Sequence, residues 1–453
     1  MSVVTRTHPM PVAQVAGIDV AGIGTEQVTA VRFDGVAFPV VFQNCPAVME
    51  GLRRVLHGWR YQPVPPSEID AGGSHIEIAR DRRGYRTTTT WSADELRNAS
   101  VASTVCNLTV DLAEGLIAAN RDLLCLHCGA ALLDGRLVVF AGSGRAGKST
   151  LVGRLAAAGV TIFSDDLLLL AGPEDHGRSL GIRGRLRLPL PEGCGADFRR
   201  FVAGHSGPRD SRYLYLDTSR FANFGASAPI GAVVVLDRRP VAGAHLVAAG
   251  RSEALQHLIR RNVAREAPAD AIVDRLSGIM ERAHCLRLEY SDLEDATSLI
   301  LNTFGVWPAD CAIPSAVGAA PAAAGNGDPR PVKAVRRDKL YRRNPDVTVR
   351  EIDGELFLAS VEGQAIWHLN ALGAGVWNLL AEPHSPAELI HMLTVAFPEG
   401  SGRIAQDVDQ LFAGLSAGGL VIADPLPSRR ARPVRGQGGH RGSGAPSDKV
   451  HRR

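Results

Sequence analysis

A chain of 453 residues with 45% apolar and 21% charged residues is long enough for about two to four globular domains, and its composition excludes wholesale disorder. The 50 Lys and Arg nearly balance the 47 Asp and Glu. The eight basic residues between Ser428 and Arg453 stand against the single acid Asp448 and outweigh the whole net charge of +3, so the basicity belongs to a tail, not to a nucleic-acid groove. No stretch approaches the run of about eighteen apolar residues that crosses a membrane. The first twenty residues lack a basic start followed by an apolar core, so a cytoplasmic protein without a secretory signal is expected. Seven scattered cysteines suit a reducing compartment.

Residues 1–120 carry no catalytic signature and read as an accessory α+β segment. Residues 28–33 and 36–42 alternate like half-buried strands around Asp34-Gly35, and residues 74–79 and 85–91 form a second pair. The spacing turns helical from Asp94 to Asn120.

Residues 121–306 carry the chemistry. A strand over 123–132 enters an Asp134-Gly135 hairpin turn and returns as the apolar run 136–140. Then comes Gly142-Ser143-Gly144-Arg145-Ala146-Gly147-Lys148-Ser149-Thr150, which fits G-x-x-x-x-G-K-[ST] with a strand before it and a helix over 151–158 after it. Glycines let successive N–H groups and the helix N-terminus face a phosphate. Lys148 then reaches the β- and γ-phosphates of ATP, and the Ser149 hydroxyl ligates Mg²⁺. A glycine turn with an accidental lysine is the bland alternative. A strand over 160–163 ends in Ser164-Asp165-Asp166, and strand ends carry the ligands of a doubly wound sheet. Neighbours on a strand point to opposite faces, so the two carboxylates suit separate jobs: one holding Mg²⁺, the other accepting a hydroxyl proton. An acidic strand end in water is the competing reading.

Cys125 and Cys128 bracket His127 in a C-x-x-C spacing, but no second pair completes a zinc site, and buried thiols are the better reading. Arg183, Arg185 and Arg187 alternate with apolar residues and share one face, either toward phosphate or toward solvent. The polar loop 204–213 is long enough to close over a nucleotide, and Asp237, at the end of the buried run 230–236, is a rival metal ligand. Helices are expected over 252–267, 268–283 and 292–304, with a strand over 285–290.

The composition changes near Val306. Residues 307–336, rich in Ala, Gly and Pro, read as a flexible linker. Residues 337–423 then form a second domain. A hairpin turns at Asp353-Gly354, a third strand covers 364–369, and Asn370 caps a helix. Ser385-Pro386-Ala387-Glu388 is a capping box, and a last helix over 403–417 leads to a return strand. Residues 424–453 are a disordered basic tail.

Two resemblances follow from these residues. The order of His127-Cys-Gly-Ala, hairpin, glycine loop, helix, strand and Ser164-Asp165-Asp166 resembles the catalytic core of HPr kinase/phosphorylase and its relatives, a P-loop core of the HPr-kinase and PEP-carboxykinase type. The resemblance implies an ATP-dependent serine kinase in which Asp165 takes the hydroxyl proton. Ser149 with Asp166 holds Mg²⁺, Lys148 holds the phosphates, and His127 supports the site. No counterpart of that family's glutamate-bearing signature follows, which leaves the phosphorylase half and the substrate open. Residues 337–423, with Leu369-Asn370-Ala-Leu-Gly-Ala-Gly-Val-Trp377 in the first helix, resemble PqqD, the leader-peptide-binding domains of ribosomal peptide-modifying systems. The expected architecture is therefore an α/β P-loop core, an accessory β-rich N-terminal segment and a small winged-helix-like α+β C-terminal domain. The implied partner is a precursor peptide or an HPr-like small protein, recruited by strand addition. No helix of the second domain carries the basic face that DNA requires. The sequence leaves a homo-oligomer open. A non-catalytic scaffold, in which nucleotide gates peptide delivery, is the alternative; a transport ATPase is disfavoured because Leu276-Ser-Gly-Ile-Met280 does not continue as its signature.

Overall fold

The strand Arg136–Ala141 sits at the centre of the protein because every residue after Arg136 is buried, which only a strand covered on both faces allows. The computed structural model describes residues 2–5, 28–69, 73–144, 146–263, 267–307, 336–360, 365–398 and 401–423. Most of the expected linker, the basic tail and Arg145 lie outside the described residues. A six-stranded sheet runs in the order Thr161–Ser164, Gly129–Leu133, Arg136–Ala141, Ile230–Arg238, His284–Tyr290, Ala244–Ala248. Its three middle strands Arg136–Ala141, Ile230–Arg238 and His284–Tyr290 are parallel. Helices Lys148–Ala157, Ala196–Gly204 and Leu293–Phe304 cover one face through Leu151, Leu155, Phe198 and Ile300. Helices Arg251–Ile259 and Ala269–Arg282 cover the other through Leu255, Leu258, Ile272 and Leu276. Asp134 and Gly135 both take positive φ, +42° and +79°, as the two-residue hairpin turn between the second and third strands requires.

The expected single strand over 123–132 is instead two strands in two sheets. Leu124–His127 pairs with Leu167–Ala171 in a separate four-stranded sheet, whereas Gly129–Leu133 joins the central one. The strand beside it breaks at the same level: Thr161–Ser164 pairs with Gly129–Leu133, and Leu167–Ala171 pairs with Leu124–His127. The Ser164 hydroxyl donates to the Cys128 carbonyl at 2.7 Å and closes the seam. Gly129 is needed there, since a Cβ would lie 2.7 Å from a Val152 methyl.

The N-terminal layer is a six-stranded sheet, from Tyr61–Pro63 at one edge to Ser92–Asn98 at the other, backed by helices Pro46–Val55 and Val101–Ala118. The helix expected from Asp94 starts only at Val101. Ser100 caps it by accepting from the Ser103 N–H, and Ser92–Asn98 is an edge strand tied down by the Arg97–Asp81 ion pair at 2.6 Å. Val101–Ala118 is long and apolar enough, by length and composition, to cross a membrane, contrary to the expectation from the sequence. Here it serves the core: Val105, Leu108, Leu112 and Ala113 are buried against the sheet.

In the C-terminal domain, strands Val347–Ile352, Glu355–Ser360 and Ile366–Leu369 form an antiparallel sheet. Asn370 and Ser385 cap the next two helices through side chains, Ser385 in a full capping box with Glu388. Alternation sends Leu356 and Leu358 to the domain's own helices. Phe357 and Ala359, on the other face, join the cluster formed by helices Arg251–Ile259 and Ala269–Arg282 of the core. The domain is thus docked: Arg350 pairs with Asp274 at 2.6 Å, Gln256 meets His368 at 3.2 Å, and Ser252 donates to Glu355. A fourth strand, Ser2–Thr5, adds antiparallel to Ile366–Leu369.

Truncating Phe357, which is fully buried at this junction, should cost about 3–5 kcal/mol. Urea unfolding of Phe357→Ala against wild type checks it; a loss under about 1 kcal/mol would contradict the docked arrangement.

Candidate active site

Gly142 to Thr150 connects the central strand to the helix Lys148–Ala157, and its backbone has little freedom. Gly147 has φ +90°, and a Cβ there would stand 2.5 Å from the Tyr290 hydroxyl. That hydroxyl, from the end of the third parallel strand, donates to the Ala146 carbonyl at 2.8 Å and pins the loop to the sheet. Gly147 supplies no side-chain cap, so the first N–H groups of the helix stay open to an anion. Lys148 is only 9% exposed. Burial first, and then Arg261, lowers its pKa from the ordinary lysine value.

Asp165 and Asp166 lie in the seam where both strands change sheets. Asp165 is buried; its Oδ2 accepts from the Arg185 N–H at 2.8 Å and its carboxylate accepts from the Ser149 hydroxyl, while Oδ1 is buried without a partner. Burial, and next the charge of Asp166, pushes the Asp165 carboxyl up to about 6. Asp166 lies 3.1 Å from His127 Nε2. Burial is the largest influence on His127 and holds its pKa below the usual histidine value, against the pull of Asp166. The structure therefore brings together Lys148, Ser149, Asp165, Asp166 and His127. Ser149 stands beside Asp165, Asp166 beside His127, and Ser149 and both carboxylates line one cavity. Arg145 falls outside the described residues.

A narrow cavity of about 70 Å³ opens beside the carboxylates, lined by Ser149, Asp165, Asp166, Arg185, Tyr215 and Cys106 among others. Sequence reasoning missed Tyr290, Arg261 and the wall that helix Val101–Ala118 contributes. Their approach is purely tertiary and leaves no local signal. Asp237 lies near the end of the strand next to the one that leads into the glycine loop, where it pairs with Arg239 at 3.5 Å. The loop 204–213 is no lid: Ser206–Arg209 is a strand, and Asp210 accepts from Ser100 and Ser103 at 2.8 and 3.0 Å, which ties the loop to the N-terminal layer. Cys125 and Cys128 belong to different core clusters, and burial pushes the Cys128 thiol up to about 12.

Residues 355–421 match the family described as coenzyme PQQ synthesis protein D (PqqD). The C-terminal domain is PqqD-like. No curated protein matches the chain.

The Asp165 carboxyl makes a pH prediction. Its folded-state pKa rises from 3.8 to about 6, so its contribution to stability is full below about pH 4 and is lost as pH climbs through about 6. The difference between 3.8 and about 6 is worth about 3 kcal/mol. Asp165→Asn should therefore gain up to about that much over wild type at pH 8 and nothing at pH 4. Denaturant unfolding at the two values checks the sign; equal effects at both would contradict the buried ionising carboxyl.

Proposed function

We propose that this protein is an ATP-dependent kinase that phosphorylates a hydroxyl, a serine hydroxyl by its resemblance to HPr kinase, on a ribosomally made precursor peptide or small protein held by the PqqD-like domain. The observation that carries the reading is the meeting of Lys148 and Ser149 from the glycine loop with the buried Asp165 and the half-exposed Asp166 in one seam. The residues fit a nucleotide with Mg²⁺. Among the described residues no cluster of three His, Cys, Asp or Glu makes a ready cage. Mg²⁺ asks for less, since it binds through one or two carboxylates plus phosphate oxygens. Ser149 with Asp166, which line the same cavity, would hold it, and when bound it would neutralise charge on the phosphate oxygens. The loop N–H groups and Lys148 bind the phosphates. Asp165 takes the proton of the attacking hydroxyl; a base with a pKa near 6 is ionised at neutral pH and still able to accept. His127 orients Asp166 across the 3.1 Å contact.

The PqqD-like match supports peptide recruitment. A peptide adding as a strand needs a sheet edge with open N–H and C=O groups, and Ile366–Leu369 is such an edge: residues Ser2–Thr5 already pair with it. An incoming leader would replace that strand. The scaffold reading, in which nucleotide gates delivery without transfer, shares the nucleotide and peptide sites and is separated from the kinase by one residue.

Lys148→Ala should weaken Mg-ATP binding measured by calorimetry. Asp165→Asn should still bind Mg-ATP while transfer of labelled phosphate to a precursor peptide encoded near this gene, where one is found, falls by about two to four decades. Transfer unchanged in Asp165→Asn removes the base assignment; no transfer by wild type favours the scaffold. Deleting residues 1–5 should raise affinity for the same precursor, read by fluorescence anisotropy, because no internal strand competes. Equal affinity would place the peptide elsewhere.

A further inference from the structure

Arg183, Arg185 and Arg187 alternate in sequence, yet the structure gives them three different surroundings. Arg183 forms an ion pair with Asp217, which Arg54 also holds, at 2.7 Å. Arg187 is exposed at the end of the short strand Arg185–Arg187. Arg185 lines the cavity that Ser149, Asp165 and Asp166 share. Its guanidinium stacks 4.5 Å over the Tyr213 ring and touches the Cys106 sulfur, and among the described residues no carboxylate forms a salt bridge with it. Burial works against the Arg185 charge, but Cys106, Tyr215 and Asp166 around it more than offset that, so it remains a cation at the cavity. The arrangement is also rigid, since the same residue's N–H donates to Asp165 at 2.8 Å. A planar, preoriented guanidinium facing a polar cavity is built to accept phosphate oxygens in a fork.

We propose that Arg185 grips the terminal phosphate of the bound nucleotide from the side opposite the glycine loop, and so is the residue that distinguishes a nucleoside triphosphate from a diphosphate. The assignment rests on the nucleotide-site reading above. The loop N–H groups serve the inner phosphates, which both nucleotides carry; Arg185 serves the one that only the triphosphate has.

The test is calorimetric binding of Mg-ADP and of a non-hydrolysable Mg-ATP analogue to full-length wild type, Arg185→Gln, Arg185→Lys and Arg187→Gln. Wild type should prefer the triphosphate. Arg185→Gln should keep its Mg-ADP affinity within about twofold and lose about ten- to a hundredfold for the analogue, the worth of a charge-assisted contact. Arg185→Lys should fall between, and Arg187→Gln should match wild type. An unchanged preference in Arg185→Gln overturns this inference and leaves the nucleotide site standing. Equal loss of both nucleotides makes Arg185 a structural residue and also overturns it. If wild type binds neither nucleotide, the site reading itself fails and this inference goes with it.

Discussion

Two adjacent strands leave one sheet for another at the same level, and the candidate site exists because of that shared break. Cys128 interrupts one strand and Asp165-Asp166 the other, with the Ser164 hydroxyl bonded across to the Cys128 carbonyl. Inside a continuous sheet, neighbouring residues would face opposite layers and their backbone groups would be consumed by the ladder. At the seam, two carboxylates stand just past the end of the edge strand Thr161–Ser164, beside the glycine loop. Each finds its own partner: Ser149 and the Arg185 N–H for Asp165, His127 for Asp166. One carboxyl is consequently dry and raised in pKa while the other meets a ring. That asymmetry is what acid–base work requires of a pair of like groups.

The loop is held from outside the motif that names it. Tyr290 lies 140 or more positions along the chain, in the third parallel strand, and fixes the Ala146 carbonyl while forbidding any side chain at Gly147. The site therefore draws on the central sheet for the loop, on the seam for the carboxylates, and on the N-terminal layer for its far wall through Cys106, Thr109 and Val110. The N-terminal layer is thus part of the site's enclosure as well as an accessory to the fold.

The local features were legible in the sequence: the glycine loop with its flanking strand and helix, the Asp134-Gly135 turn, the Asn370 and Ser385 caps, and the C-terminal hairpin. These depend on residues within a few positions of one another. The split of 123–132 between two sheets was not legible, because an unbroken apolar run reads alike in one sheet or two. The start of the long helix was misplaced for a related reason. Residues 94–98 carry charges that suit a helix surface, and only cross-strand pairing with Gly84–Thr89 makes them a strand. The three alternating arginines were visible as a pattern, but their separate partners come from elements far along the chain.

Docking of the PqqD-like sheet onto helices Arg251–Ile259 and Ala269–Arg282 joins that domain to the layer behind the central sheet, through Phe357, Ala359 and Ile366. In the proposed kinase, that fixed placement would hold a captured peptide at high local concentration near the seam. All of this stands on the glycine loop and the seam acting as one nucleotide site. The most direct test is hydrogen–deuterium exchange of the whole protein with and without Mg-ATP. The account predicts slowed exchange at amides 143–150 together with 163–166 and 185, while the C-terminal helices are unaffected. Exchange unchanged across both stretches at millimolar Mg-ATP would contradict it.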